Sequence, residues 1–402
     1  MHTLVISMPP WRFATRTRKA ATSYASRGPV TFLAPQRVGR TGKWDESGRR
    51  QEGRVQVVHV PVGTLVPSPG KRSMALNLLK AYVPALVRLA RVTMTTPADV
   101  VHVTGAPLIP LALLHQKRYH STLILDINER PASVASQGSL FSTFSRIEPA
   151  LLRAGARAAT ITTVVTEGHA ELLRDHHNWT APVLVVRNAP NATWRAVWTP
   201  PPEGPLRVVT VGTIFERRGF ELIIEAARIC RDSANEVEVH IHGSGRPEYL
   251  STLRQLITDH EVTDLVQLHP SVSSDNVSSI YLTGHLGLAF YEPSDPGNDS
   301  LSNKIIECIA SGRPVLAGDL PENRRFIQEN DCGWLTELTS EAIAQKLIAL
   351  TTHGDLLKIA ARCRDIASQL TWESEFNPVI EHLTATLAHE EQRTRQREDN
   401  EV

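Results

Sequence analysis

Between Asp299 and Glu322 runs the stretch DSLSNKIIECIASGRPVLAGDLPE, a polar loop, a short helix and an apolar strand in quick succession. Ser302 is placed to cap a helix over 303–311 by accepting from a free backbone N–H. Gly312 stops that helix, and Pro314 leads into a strand over 315–317. A loop that opens a helix in this way presents unpaired N–H groups, Asn303 first, and the positive end of the helix dipole, a setting that suits a phosphate. Lys304 adds a point charge in the first turn. Glu307, three residues on and on the same face, is a carboxylate able to accept from two sugar hydroxyls at once. The same features also suit an ordinary loop–helix–strand unit in which Lys304 and Glu307 simply pair.

Such a stretch needs a frame, and the rest of the chain supplies the pattern of one. In the first half, short β-rich apolar runs recur at 4–6, 30–33, 55–60, 100–103, 123–127, 161–165 and 183–186. Several are apolar on both faces, as in a parallel sheet covered on both sides. Helical patterns intervene at 17–26, 74–91, 108–116, 144–155 and 167–175. The proline-rich segment 199–205 reads as a stiff, hinge-like linker. The rhythm then restarts, with strands at 206–211, 237–242, 266–269, 286–291 and 314–317, and helices at 220–231, 247–260, 275–282, 303–311 and 321–329. Alternating strands and helices of this kind make α/β doubly wound domains, and the expectation is two of them. The first covers 1–198 and the second 206–370, with an amphipathic helix over 371–390 and a charged, frayed tail over 391–402. The glycine-rich segment 39–53 reads as a mobile surface loop.

In doubly wound sheets ligands sit at the carboxyl ends of strands. In the first half this rule selects Arg12 in the basic loop after 4–6, His102, and the run Asp126, Asn128 and Glu129. His102 is either a hydrogen-bonded structural residue or a group facing the acceptor. Asp126 and Glu129 are either acceptor-side groups or members of loop salt bridges.

Composition sets bounds. The chain has 402 residues, 41% apolar and 21% charged, enough for two globular domains. Its start is apolar for too few residues to be a signal peptide, and nothing approaches a membrane span. The four cysteines, at 230, 308, 332 and 363, lack any CxxC spacing, so neither a zinc site nor a disulfide framework is suggested. A reducing, cytoplasmic setting follows. Residues 1–98 hold sixteen Lys and Arg against three acids, although the whole chain carries only +1. That asymmetry is either a solvated basic face or a surface that meets something anionic, such as a phosphorylated acceptor or the inner face of an anionic membrane. A nucleic-acid role is disfavoured, because the basic residues lack interleaved aromatics or a recognition motif.

Taken as a string, Ser300–Val315 resembles the donor-site segment S-x-x-N-K-x-x-E-x-x-A-x-G-x-P-V of the retaining glycosyltransferases of family 4 (glycosyl transferases group 1). The resemblance implies a GT-B fold, two Rossmann-like domains facing a central cleft, with the helix at 371–390 crossing back to the first. It also implies a nucleoside diphosphate sugar donor, an acceptor hydroxyl and no metal or other cofactor. The family's pair of acids matches Asp299 and Glu307, with Glu307 on the ribose and Asp299 facing the donor sugar. The family's V-G-R-x-x-x-x-K-G matches Val211 to Gly219. It places Thr213 and Arg218 where two cations grip the diphosphate, with Gly212 before them and Arg217 as a compensating base. Gly243 and Gly245 match the family's G-x-G, and Ser271 and Val272 the stretch that offers backbone groups to the base. Asn128 stands where some members have a histidine near the transferred sugar; it can position a hydroxyl but not act as a base. The activity implied is sugar transfer with retention, in surface polysaccharide or glycoconjugate biosynthesis, to an acceptor such as a phosphate-bearing, lipid-linked glycan. Two other classes stay open: a catalytically weak partner subunit that binds donor without turnover, and an enzyme of the epimerase kind that modifies the donor without an acceptor.

Overall fold

Each apolar run becomes a strand, and the polar or amphipathic stretches between them become the covering helices. The computed structural model describes residues 1–11, 14–37, 48–62, 86–128, 139–177, 179–292, 300–352 and 354–400. Two compact units result, Met1–Val186 with Phe376–Val402, and Arg187–Glu375. The division at 186/187 lies earlier than the expected 198.

In the first unit, β1 (Thr3–Ile6), β2 (Val30–Arg37), β4 (Val55–Val62), β5 (Val100–Thr104), β6 (Thr122–Ile127), β7 (Ile161–Val164) and β8 (Val183–Val185) are parallel. β3 (Arg49–Glu52) joins antiparallel to β4, and the sheet order is β3-β4-β2-β1-β5-β6-β7-β8. β1, β5, β6 and β7 are buried at every position, as a sheet covered on both faces requires. The covering elements include α1 (Thr15–Tyr24), α2 (86–95), α3 (Ile109–Tyr119), α4 (Ser139–Ala158) and α5 (Glu167–His177). β3 corrects the loop expected over 39–53. Its sequence, RRQE, carries no apolar alternation, and only the ladder to β4 makes it a strand. Residues 38–47 of that loop, and 74–85 of the expected helix 74–91, lie outside the described residues.

The second unit has one six-stranded parallel sheet. Its strands are β9 (Leu206–Val211), β10 (Val237–His242), β11 (Val266–His269), β12 (Leu286–Ala289), β13 (Val315–Gly318) and β14 (Gly333–Thr336). Their order is β11-β10-β9-β12-β13-β14, so the winding reverses between β9 and β12. One face carries Val208, Val239, Ile241, Leu288 and Leu316 against α6 (Phe220–Asp232), α7 (Pro247–Asp259) and α11 (Ser340–Leu350). The other carries Val209, Val211, Ala289, Val315 and Ala317 against α8 (Val277–Leu282), α9 (Asn303–Ala310), α10 (Pro321–Asn330) and α12 (Gly354–Ala367). The alternation of neighbours such as Val208 and Val209 between the two faces is the period of two that strands impose.

The segment 199–205 is not a free hinge. The Thr199 carbonyl accepts from the buried Arg313 guanidinium at 2.9 Å, and the Pro202 carbonyl lies 2.7 Å from His285 Nε2. The final helix, α13 (Trp372–Asn400), continues through the charged residues expected to fray. Within the first unit Phe376 packs edge-on against Tyr24, ring centroids 5.4 Å apart.

The first unit is pinned by a buried ion pair. Arg16 Nε lies 3.1 and 3.0 Å from the two Asp126 oxygens, and its other arm donates to the Val186 carbonyl at 2.6 Å. Thr163 donates to Asp126 at 2.8 Å. Burial by itself would push the Asp126 carboxyl up, but the Arg16 guanidinium and these donors hold it below the usual carboxylate range. Because the folded pKa is depressed, the pair's contribution is present above the unfolded carboxylate range and is lost as pH falls. Removing one member of such a pair strands the other. Asp126→Asn should lower the unfolding free energy of the first unit by about 3–5 kcal/mol in a urea titration followed by circular dichroism. A loss under 1 kcal/mol, on the order of a surface pair, would show the ion pair to be dispensable.

Candidate functional site

At the C-terminal edge of the second sheet, two loops flank the point where strand order reverses, the place where α/β sheets take ligands. One follows β9 and spans 212–219. The other follows β12 and leads to α9.

The second loop ends as its sequence suggests. Ser302 has extended backbone and its hydroxyl accepts from the Lys304 N–H at 3.3 Å, capping α9. Asn303 opens the helix exposed. Lys304 turns inward and is only 5% exposed. Its Nζ donates to Thr210 Oγ1 at 3.0 Å and lies 5.0 Å from the Phe220 ring centroid and 6.0 Å from that of Tyr291. Burial, and then the nearby Arg218 charge, bring the Lys304 ammonium down to about 7, with Glu307 acting in the opposite direction. Glu307 is half-buried one turn along α9.

The first loop brings a second cation to the same ring. The Arg218 guanidinium carbon sits 4.0 Å from the Phe215 centroid and 4.6 Å from the Tyr291 centroid. One of its nitrogens donates to Tyr291 Oη at 2.9 Å, and Ser302 Oγ donates to that same oxygen at 3.1 Å. Arg218 Nε is buried with no hydrogen-bond partner among the described residues. Tyr291 thus ties the two loops together. Gly212, with φ of +134°, lies where an added Cβ would stand 3.5 Å from the Lys304 chain. Gly219, at φ of +69°, turns the chain into α6, and a Cβ there would press on Phe290.

The other expected donor residues are placed differently. Thr213 is exposed. Arg217 pairs with Glu292 at 2.9 Å and is 62% exposed, so its charge is already met at the surface. Gly243 and Gly245 have a reason inside the protein. A Cβ on Gly243 would collide with the Gly212 carbonyl, and one on Gly245 with the Ile214 carbonyl. The two loops run side by side there, with Gly212 donating to the His242 carbonyl at 2.9 Å and Ile214 to the Ser244 carbonyl at 2.8 Å. Ser271 is exposed in the loop after β11, and Val272 packs against the core cluster that includes α9.

In the first unit, His102 and Asp126 take the structural one of the two readings left open for each. His102 is 1% exposed in the middle of β5, with Nδ1 3.0 Å from Tyr24 Oη, and burial pushes it down to about 4. Asp126 is saturated by Arg16 and Thr163. Asn128 is half-buried just past β6. Arg12, Glu129 and Asp299 lie outside the described residues. Sequence reasoning missed Tyr291, Phe215 and Thr210, which have no charge to draw notice. It also missed a cluster of His240, His242 and His269, whose third member lies 27 or more residues from the other two, on the neighbouring strand.

The chain resembles known proteins in the same region. The family model described as Glycosyl transferases group 1 matches residues 205–353. The O-antigen biosynthesis protein RfbC of Myxococcus xanthus is 27% identical over 193 residues, 47% of this chain and 14% of that protein. The amylovoran biosynthesis glycosyltransferase AmsK of Erwinia amylovora is 27% identical over 184 residues, 44% of this chain and 42% of that protein. The match therefore spans less than half the length of either relative. Among solved structures, HepE of Anabaena in complex with UDP superposes with a TM-score of 0.67 at 14% identity, covering 96% of this chain and 100% of that one. HepE is also solved with UDP-glucose. This likeness shows the fold to be GT-B, with two Rossmann-like units. Residues 205–353, which hold Arg218, Lys304 and Glu307, match the glycosyl transferases group 1 family model.

Proposed function

We propose that the chain is a retaining glycosyltransferase that moves a sugar from a nucleoside diphosphate sugar to an acceptor hydroxyl in polysaccharide biosynthesis. The observation that carries this reading is the pair of cations, Arg218 and Lys304, held at the switch point of the second sheet with a buried guanidinium N–H that no described residue meets. An anion with several oxygens would satisfy both. The family match and the polysaccharide roles named for RfbC and AmsK support the reaction class. HepE, with the same fold, holds UDP and UDP-glucose, which makes a uridine donor the first to test.

In this reading the α9 start, Arg218 and Lys304 receive the diphosphate, and Glu307 accepts from the ribose hydroxyls. Negative charge builds on the departing diphosphate in the transition state, so fixed cations there lower the barrier more than they tighten ground-state binding. Arg218 and Lys304 supply that charge without a metal. The acceptor hydroxyl attacks from the face the diphosphate leaves, and a phosphate oxygen takes its proton. The configuration at the sugar carbon is thereby kept.

Two measurements test the assignment. Arg218→Ala should weaken UDP-glucose binding by about 1.5–3 kcal/mol, tenfold or more, in calorimetry. Arg217→Ala, which only breaks an exposed pair, should cost less than about threefold. Equal losses in both variants would refute the division of roles. The second measurement is pH dependence. With Lys304 at about 7 in the free protein, a bound diphosphate raises its pKa again. UDP-glucose should then bind with proton uptake above neutral pH and with declining affinity as pH rises, a trend that Lys304→Met abolishes. Affinity that climbs with pH in the wild type would contradict a charged Lys304 on the donor.

A further inference from the structure

On β10 the residues Val237, Val239 and Ile241 face the core, so His240 and His242 share the opposite, half-buried face. β11 runs parallel beside it, with His242 and His269 in register. Two residues apart on one strand and directly across on the next is the spacing at which three side chains converge on one face. His240 Nδ1 lies 2.9 Å from His269 Nε2, and one nitrogen from each of the three rings lies within 4.8 Å of the others. The rings stack, with His240 and His269 at 5.1 Å and His242 and His269 at 4.2 Å between centroids. Nothing in packing a strand face calls for three imidazoles.

A second shell is also present. Glu238 Oε2 lies 3.7 Å from His240 Nε2, the nitrogen that points away from His269, and Arg207 fixes that carboxylate through a 2.6 Å hydrogen bond. A carboxylate behind a ligating histidine orients the ring and raises its basicity.

We propose that His240, His242 and His269 form a binding site for a divalent transition-metal ion of the Zn(II) type, with the remaining coordination position left to water. Imidazole suits Zn(II), Ni(II) and Cu(II), whereas Mg(II) and Ca(II) take oxygen ligands. Metal–nitrogen bonds of about 2.0–2.1 Å in tetrahedral geometry set nitrogens roughly 3.3 Å apart. His240 and His269 need to open slightly, and His242 to turn inward. The ion would sit apart from the diphosphate cations and take no part in sugar transfer. It would clamp β10 to β11 beneath the Gly243 and Ser271 loops.

The test is a Co(II) titration of the untagged, chelator-treated chain, read by visible absorption. The expected result is one Co(II) per chain with the intense bands of a tetrahedral site, displaced by Zn(II), and a higher Tm with metal bound. His242→Gln and His269→Gln should each lose at least tenfold in affinity, and Glu238→Gln about 10–100-fold. Circular dichroism of the metal-free variants checks that they fold. A wild-type chain that shows no such spectrum at saturating Co(II) overturns the site, as does a folded His242→Gln chain that binds like wild type.

Discussion

Two positive side chains held near each other, one of them buried, are expensive, and the second unit is built around keeping them there. Lys304 is buried and Arg218 lies close enough to depress its pKa. The Tyr291 ring and hydroxyl, the Phe215 and Phe220 rings and Thr210 hold them, and Glu307 offsets only part of the cost at Lys304. Cation–π contacts of this kind offset part of the desolvation cost without cancelling the charge. Because the folded Lys304 pKa is lowered, the cost is present in full below about pH 7 and fades as pH rises toward the unfolded value. A protein that carries such a cost at a sheet's switch point is poised for an anion that removes it.

The first unit shows the opposite solution. Arg16 and Asp126 are also buried cation and anion, but each meets the other, and Val186 and Thr163 take the remaining polar atoms. A closed pair of that kind orders a fold and leaves no charge for a ligand. The contrast separates structure from function more sharply than position does, since both groups lie near the carboxyl ends of central strands. His102 follows the same logic, as a neutral buried ring bonded to Tyr24 rather than an exposed base.

Much of this was legible in the sequence. Strands 206–211, 237–242 and 266–269 coincide with β9, β10 and β11, because apolar runs bounded by glycine, proline and polar turns leave little choice. The Ser302 cap, α9 and the stop at Gly312 were equally readable from local chemistry. What failed was long-range. β3 exists only through its ladder to β4, and Asp126 is defined by Arg16, 110 residues earlier. The glycines at 243 and 245 fit the expected motif, yet the contact that demands them is with carbonyls of Gly212 and Ile214. Tyr291 was invisible as a site residue because only the fold brings Arg218 and Ser302 to its hydroxyl.

The most direct test of the central claim is a crystal structure of the chain with UDP. The diphosphate should lie within hydrogen-bond distance of the Arg218 guanidinium and the Lys304 ammonium, above the Asn303 end of α9, with the ribose hydroxyls on Glu307. A nucleotide bound with its phosphates elsewhere, and Arg218 and Lys304 untouched, would contradict the account.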